Sequence, residues 1–150
     1  MCSAGAVTPE QIAIVESTVA RVEERLDAVA AGFYVRLFAD APETEAMFTR
    51  RPDRQREIFA AELHAMVLLI RDHPEFVRHA RRLGARHREH GVRAAHYRLA
   101  GPHLIGALAA ELADDWNDDT EEAWRLAYSL LSETMMAGAA DAACDQNSST

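Results

Sequence analysis

The stretch that decides the reading runs from Phe76 to Val92, FVRHARRLGARHREHGV. Phe76, Ala80, Leu83 and His87 recur at the spacing of one helical face, with arginines and histidines between them. Such a stripe faces an interior. Gly91 follows as a C-terminal cap. An inward-facing histidine needs partners for both ring nitrogens. A metal can take one and a backbone or side-chain acceptor the other. The residues alone leave two readings open: a satisfied core histidine, or a ligand.

Working outward, the periodicity is helical nearly everywhere and no alternating β-branched run is visible, so an all-α fold is expected. Thr8 caps a first helix, with Pro9 at its first position and Gln11 as capping-box partner. Its apolar face continues through Leu26, Val29, Phe33 and Phe38 to Pro42, which is long for one helix and predicts a bend in the low twenties. A helix starts near Pro52 or Asp53 and ends before Pro74. Another runs from about Ala94 to Ala113, with a kink expected at Gly101–Pro102. A last helix starts after Asp119 or Thr120 and carries Trp124, Tyr128 and Leu131. The result is six to seven helices. Residues 1–7 read as an N-terminal tail, 8–140 as one domain and 141–150 as a frayed C-terminal tail.

The chain has 150 residues and a net charge of -8, which opposes nucleic-acid binding. The acidic run Asp114, Asp115, Asp118, Asp119, Glu121 and Glu122 reads as a solvated connection. No run is long and apolar enough for a membrane span and no secretory leader is visible, so a cytoplasmic location is expected. Cys2 and Cys144 have no redox or metal-site spacing. His64, His73, His79, His90, His96 and His103 lie among charged neighbours or near helix ends and read as surface residues. No HxxxE, HExxH or CxxC arrangement is present; His87 and His90, three apart, could share a face, but nothing nearby completes a third or fourth ligand. A porphyrin would supply the four missing nitrogens and leave one histidine to bind axially.

Several motifs, in order, resemble the bacterial single-domain globins and the globin domain of flavohaemoglobins. FYVRLFADAPETEAMF, Phe33 to Phe48, resembles the family's B helix and the corner after it. QREIF, Gln55 to Phe59, resembles the start of the E helix. LGARHREHGV, Leu83 to Val92, is the closest match. AAHYRLAGPHLIGAL and AWRLAYSLL resemble the two helices that follow. The resemblance covers roughly residues 8 to 138 and implies a globin fold around a haem b. It implies His87 as the proximal iron ligand, with Leu83, Phe48, Phe59, Val92 and Tyr97 against the cofactor. It implies Tyr34 and Gln55 as distal donors to a bound gas.

The same resemblance carries departures. Flavohaemoglobins join the proximal histidine and the tyrosine to a glutamate in the last helix, and the ungapped match here is Ala139. A weaker proximal push is therefore expected. Phe59 is larger than the leucine often found there, which narrows the distal cavity. The chain ends at Thr150 without flavin and NAD domains, so turnover needing electrons is expected to use a separate reductase. The implied function is reversible binding of dioxygen, and of nitric oxide. Nitric oxide dioxygenation, a haem-based gas or redox sensor, peroxidase-like work and a haem-free interaction protein are the alternatives.

Overall fold

A computed structural model describes residues 6–148. Cys2 lies outside them. Among the described residues there are six α-helices and no strand. The first, α1 (Pro9–Val22), starts as a capping box: the Thr8 hydroxyl accepts from the Gln11 N–H at 3.2 Å, and the Thr8 N–H donates to the Gln11 side chain at 2.9 Å. Two orphan donors of the first turn are thereby satisfied. A single 3₁₀ turn, Glu23–Arg25, breaks the long apolar pattern where the bend was expected, and α2 (Leu26–Asp40) follows. A second 3₁₀ turn, Pro42–Met47, leads through Phe48 to α3 (Pro52–Leu68).

The decisive stripe lies on α4 (His73–Glu89), whose N-cap Asp72 accepts from the Glu75 N–H at 3.3 Å. Phe76, Ala80 and Leu83 are buried on it. Gly91 has φ +85°, the left-handed conformation that ends a helix and that glycine adopts without steric cost. The next helix, α5 (Ala94–Leu112), continues through Gly101 and Pro102. Pro102 has no N–H to offer the preceding turn. That turn carries a different hydrogen bond: the Tyr128 hydroxyl donates to the Tyr97 carbonyl at 2.5 Å. The Tyr128 ring fits because residue 101 is glycine; a Cβ there would lie 2.6 Å from its Cε1.

The last helix, α6 (Asp118–Asn147), differs from expectation at both ends. It starts earlier, because Asn117 rather than Asp119 or Thr120 is the N-cap; its side chain accepts from the Thr120 N–H at 2.9 Å. Three acidic residues of its first turn then meet the positive end of the helix dipole. It also runs to Asn147, through the segment read as a frayed tail. Alanine-rich sequence favours helix there. Two cross-links hold it to α4: Arg81 pairs with Asp141, and Arg88 donates to Gln146 at 3.3 Å. Cys144 therefore sits, exposed, on a helix.

α4 and α6 pack closely at two glycines. A Cβ at Gly84 would collide with the backbone at Met135, and one at Gly138 with the backbone at Arg81. Buried side chains sort into two clusters. The larger includes Phe33, Tyr34, Leu37, Leu104, Leu108 and Trp124, with Phe48 and Phe59 against it. The smaller includes Met66, Phe76, Leu83, Tyr97 and Met135, with Val92 against it. Ile70 packs on both. No helix among the described residues is long and apolar enough to cross a membrane.

Candidate functional site

The chemistry-bearing side chains divide between these clusters. Tyr34, on α2, is buried within an aromatic set. Its ring meets Phe33 and Phe48 edge-on at 5.0 and 5.1 Å between centroids, and Phe59 at 5.6 Å. Phe59 stacks on Phe33 at 4.6 Å. Such contacts add to the burial of apolar area and leave the phenol ring little freedom.

Gln55, in the first turn of α3, reaches this phenol across a gap of twenty-one residues. Its Nε2 donates to the Tyr34 hydroxyl oxygen at 2.8 Å. Its Oε1 in turn accepts from Arg50 at 3.4 Å. Arg50 lies just before α3 and was not singled out from the sequence; a lone arginine in a connection carries no periodic signal. The three side chains form a directed row, guanidinium to amide to phenol. The phenol oxygen accepts, so its own proton is left to donate elsewhere. Burial pushes the Tyr34 phenol up to about 12, against the smaller opposing effects of the Gln55 hydrogen bond and the Arg50 charge. The hydroxyl is thus a neutral donor throughout the ordinary pH range.

His87, near the end of α4, is half-buried. Its Nδ1 and the Leu83 carbonyl are 2.8 Å apart, one helical turn back. A carbonyl can only accept, so Nδ1 carries the proton and Nε2 presents a bare lone pair. Burial lowers the His87 pKa; the Leu83 hydrogen bond opposes this, while the Arg86 and His90 charges add to the lowering. A neutral imidazole with one nitrogen committed and the other without a hydrogen-bond partner among the described residues has the donor chemistry of an axial metal ligand. These residues fit a porphyrin-bound iron. No group of three or more His, Cys, Asp or Glu that could hold a metal by itself exists among the described residues.

Tyr97, in the first turns of α5, stacks on the His87 ring, with centroids 6.2 Å apart and planes at 26°. Its hydroxyl is buried and has no hydrogen-bond partner among the described residues. Burial raises its pKa. Tyr128, held above the ordinary phenol range first by burial and then by Tyr97, anchors the Tyr97 carbonyl from α6. Ala139 lines a cavity together with Tyr97 and Val92.

Four of the remaining histidines are held in contacts of their own. His79 faces Glu62 at 2.9 Å, His103 faces Asp40 at 2.9 Å, and His64 lies 3.6 Å from Glu23. His96 accepts the Arg93 N–H at the start of α5, at 2.8 Å.

The chain is similar to known proteins in sequence and in fold. The globin family model matches residues 31–135. A flavohemoprotein of Deinococcus radiodurans is 33% identical over 134 residues, covering 87% of this chain and 33% of that protein. A flavohemoprotein of Bordetella pertussis is 28% identical over 133 residues, with the same coverage of each chain. The chain therefore spans about a third of the length of these curated relatives. Among solved structures, an engineered carbene transferase from Rhodothermus marinus, assigned in its name as a nitric oxide dioxygenase, superposes with a TM-score of 0.84 at 26% identity. The match covers 95% of this chain and 99% of that one. A bacterial globin of Campylobacter jejuni shares the fold, with a TM-score of 0.79 at 22% identity over 89% of this chain and 97% of its own.

Proposed function

The chain belongs to the globin family, and on that premise we propose that it holds a haem b through His87 and binds dioxygen reversibly on the Tyr34 side, with nitric oxide as a second ligand. One observation carries the reading: the His87 imidazole is neutral, its Nδ1–H is spent on Leu83, and its Nε2 is bare. When bound, the haem would supply an iron able to take up a diatomic gas.

The rest is work for the chain's own residues. Leu83 holds the His87 tautomer, so the lone pair is presented without a proton to lose. Tyr97 limits rotation of the imidazole by stacking on it. Phe48, Phe59, Leu83 and Val92 present apolar surface that excludes water from the cofactor. Division of the core into two clusters, joined at Ile70, suits a flat group held between them. Tyr34 keeps its proton and would donate a hydrogen bond to a gas ligand on its side. Gln55 assists by donating to the Tyr34 oxygen, which strengthens the outgoing O–H donor through hydrogen-bond cooperativity. Gln55 thus acts on the gas through Tyr34, where the motif alone suggested two parallel donors.

Nitric oxide dioxygenation is the second reading. The name of the Rhodothermus protein favours it. It requires electrons from a reductase, and turnover of nitric oxide to nitrate with an added reductase separates it from simple binding. The test of the primary reading is an absorption spectrum of the purified protein. A Soret band that shifts on reduction and on oxygenation is expected, and its absence would falsify haem binding.

A further inference from the structure

The helices α3 and α4 are consecutive and are joined by residues 69–72. α3 carries Gln55 and Phe59, and α4 carries His87. Near the connection, Met66 of α3 and Phe76 of α4 share the smaller apolar cluster. Further from it, Glu62 ties the two helices by polar contact. Its Oε2 lies 2.9 Å from Nε2 of His79, and its Oε1 accepts from the Arg86 guanidinium at 3.4 Å. Both carboxylate oxygens are used, and both partners stand on α4, about two turns apart and so on one face. No other hydrogen bond or ion pair joins α3 to α4 among the described residues.

The place of this tie is as telling as its chemistry. Glu62 lies about one turn beyond Phe59, and Arg86 directly precedes His87. The tie therefore stands between the apolar end at Met66 and the two residues that the haem reading sets against the cofactor. The hydrogen bond from His87 to the Leu83 carbonyl lies within α4. It fixes the imidazole on its helix, and leaves the helix to be fixed by its neighbours. α6 does so on one side, through the close approaches at Gly84 and Gly138. Glu62 does so on the α3 side. The His79 and Glu62 side chains are only 30% and 29% exposed, so solvent and salt screen this contact less than an open surface pair. Two cations on one carboxylate also form a network, which holds better than an isolated pair.

We propose that Glu62 is a positioning residue for His87: its carboxylate straps α4 to α3 through His79 and Arg86, and so sets how far the imidazole stands from the helix that carries Gln55 and Phe59. The consequence for an iron centre rests on the haem reading; the strap itself does not.

Two measurements on the full chain as purified test this. The first is backbone amide hydrogen exchange. Glu62→Gln should raise exchange along α4 about fivefold, the size expected for a partly exposed ion pair. Asp40→Asn is the matched control, because it breaks a histidine–carboxylate contact of the same 2.9 Å, between Asp40 of α2 and His103 of α5. It should leave α4 unchanged. The second is the iron–histidine stretching frequency of the deoxy ferrous protein. Glu62→Gln should lower it. His79→Gln removes one arm, about two turns from His87, and keeps the Glu62 charge; it should show both changes at smaller size. Unchanged α4 exchange in Glu62→Gln, or an equal rise in Asp40→Asn, overturns the strap. A frequency that moves in Glu62→Gln and not in His79→Gln assigns the effect to the Glu62 charge alone and overturns it as well. Faster exchange with an unmoved frequency in both variants makes Glu62 a brace of the fold and overturns its positioning role. A chain without a Soret band sinks the haem reading instead, and faster α4 exchange there still upholds the strap.

Discussion

The two sides of the site are finished to different degrees. Around Tyr34, the polar side chains form a directed row, and four aromatic rings from α2, α3 and the connection between them lock the phenol. Around His87, the imidazole is set by one backbone hydrogen bond and one ring, while the hydroxyl of that ring is left without a partner among the described residues. The difference teaches where control resides. A donor to a bound gas must be fixed and protonated at all times, and closed aromatic packing achieves both. In the proposed reading, an axial histidine takes its electron-donating strength from what surrounds it, and here that surround is one carbonyl and one ring.

The largest effect expected from disturbing either side is at His87. His87→Ala should remove tight haem retention altogether, seen as loss of the Soret band after gel filtration; a variant that keeps a normal spectrum would reassign the ligand. Next is Tyr34→Phe, which leaves the aromatic packing and deletes the donor. A charge-assisted hydrogen bond contributes about 1.5–3 kcal/mol, so dioxygen dissociation measured by stopped flow should accelerate about 10- to 100-fold. Gly84→Ala tests the platform beneath the proximal side. Its Cβ meets facing backbone rather than a flexible side chain, and such overpacking costs about 1–3 kcal/mol, read as a Tm lowered by several degrees.

Smaller effects follow from protonation and from the far end of the row. The depressed pKa of His87 means that the unfolded chain binds a proton more readily than the native one. Stability from this group is complete above about pH 6.5 and is lost as pH falls below it. Urea titrations of the haem-free protein should therefore show a slope in this range that His87→Gln reduces. The Tyr34 phenol, raised to about 12, keeps its proton across the ordinary range. Dioxygen dissociation should accordingly be flat from about pH 6 to about pH 10, the ordinary phenol value. Arg50→Ala removes an exposed contact at 3.4 Å and should change dissociation by only about two- to threefold, since exposed charged pairs contribute below about 1 kcal/mol. A larger effect there would mean that the row is more strongly coupled than its geometry implies.

Much of this was legible in the chain before folding. The stripe ending in His87, the Thr8 cap, the break in the low twenties and the left-handed Gly91 all follow from local periodicity and backbone preference. The matched family and the all-α architecture agree with that reading. Gln55 could be named from its motif, yet its hydrogen bond to Tyr34 joins two helices and has no local signal. Arg50 had none at all. The last turns of α6 were misread as a tail because their support comes from Arg81 and Arg88 on another helix. Nothing local marks Gly84 and Gly138, and only the approach of α4 to α6 gives them a purpose.

The division between the two sources of information follows the range of the interactions. Helix positions, caps and the inward face of His87 depend on residues within about a turn of one another, so the sequence by itself determined them. Which nitrogen of His87 bears the proton also depends on a carbonyl one turn away. The protonated state of Tyr34, the row that feeds it, the unpartnered hydroxyl of Tyr97 and the cavity beside Ala139 were decided only by tertiary structure. Each depends on burial and on groups brought from distant parts of the chain, and desolvation has no value until the packing that excludes water exists.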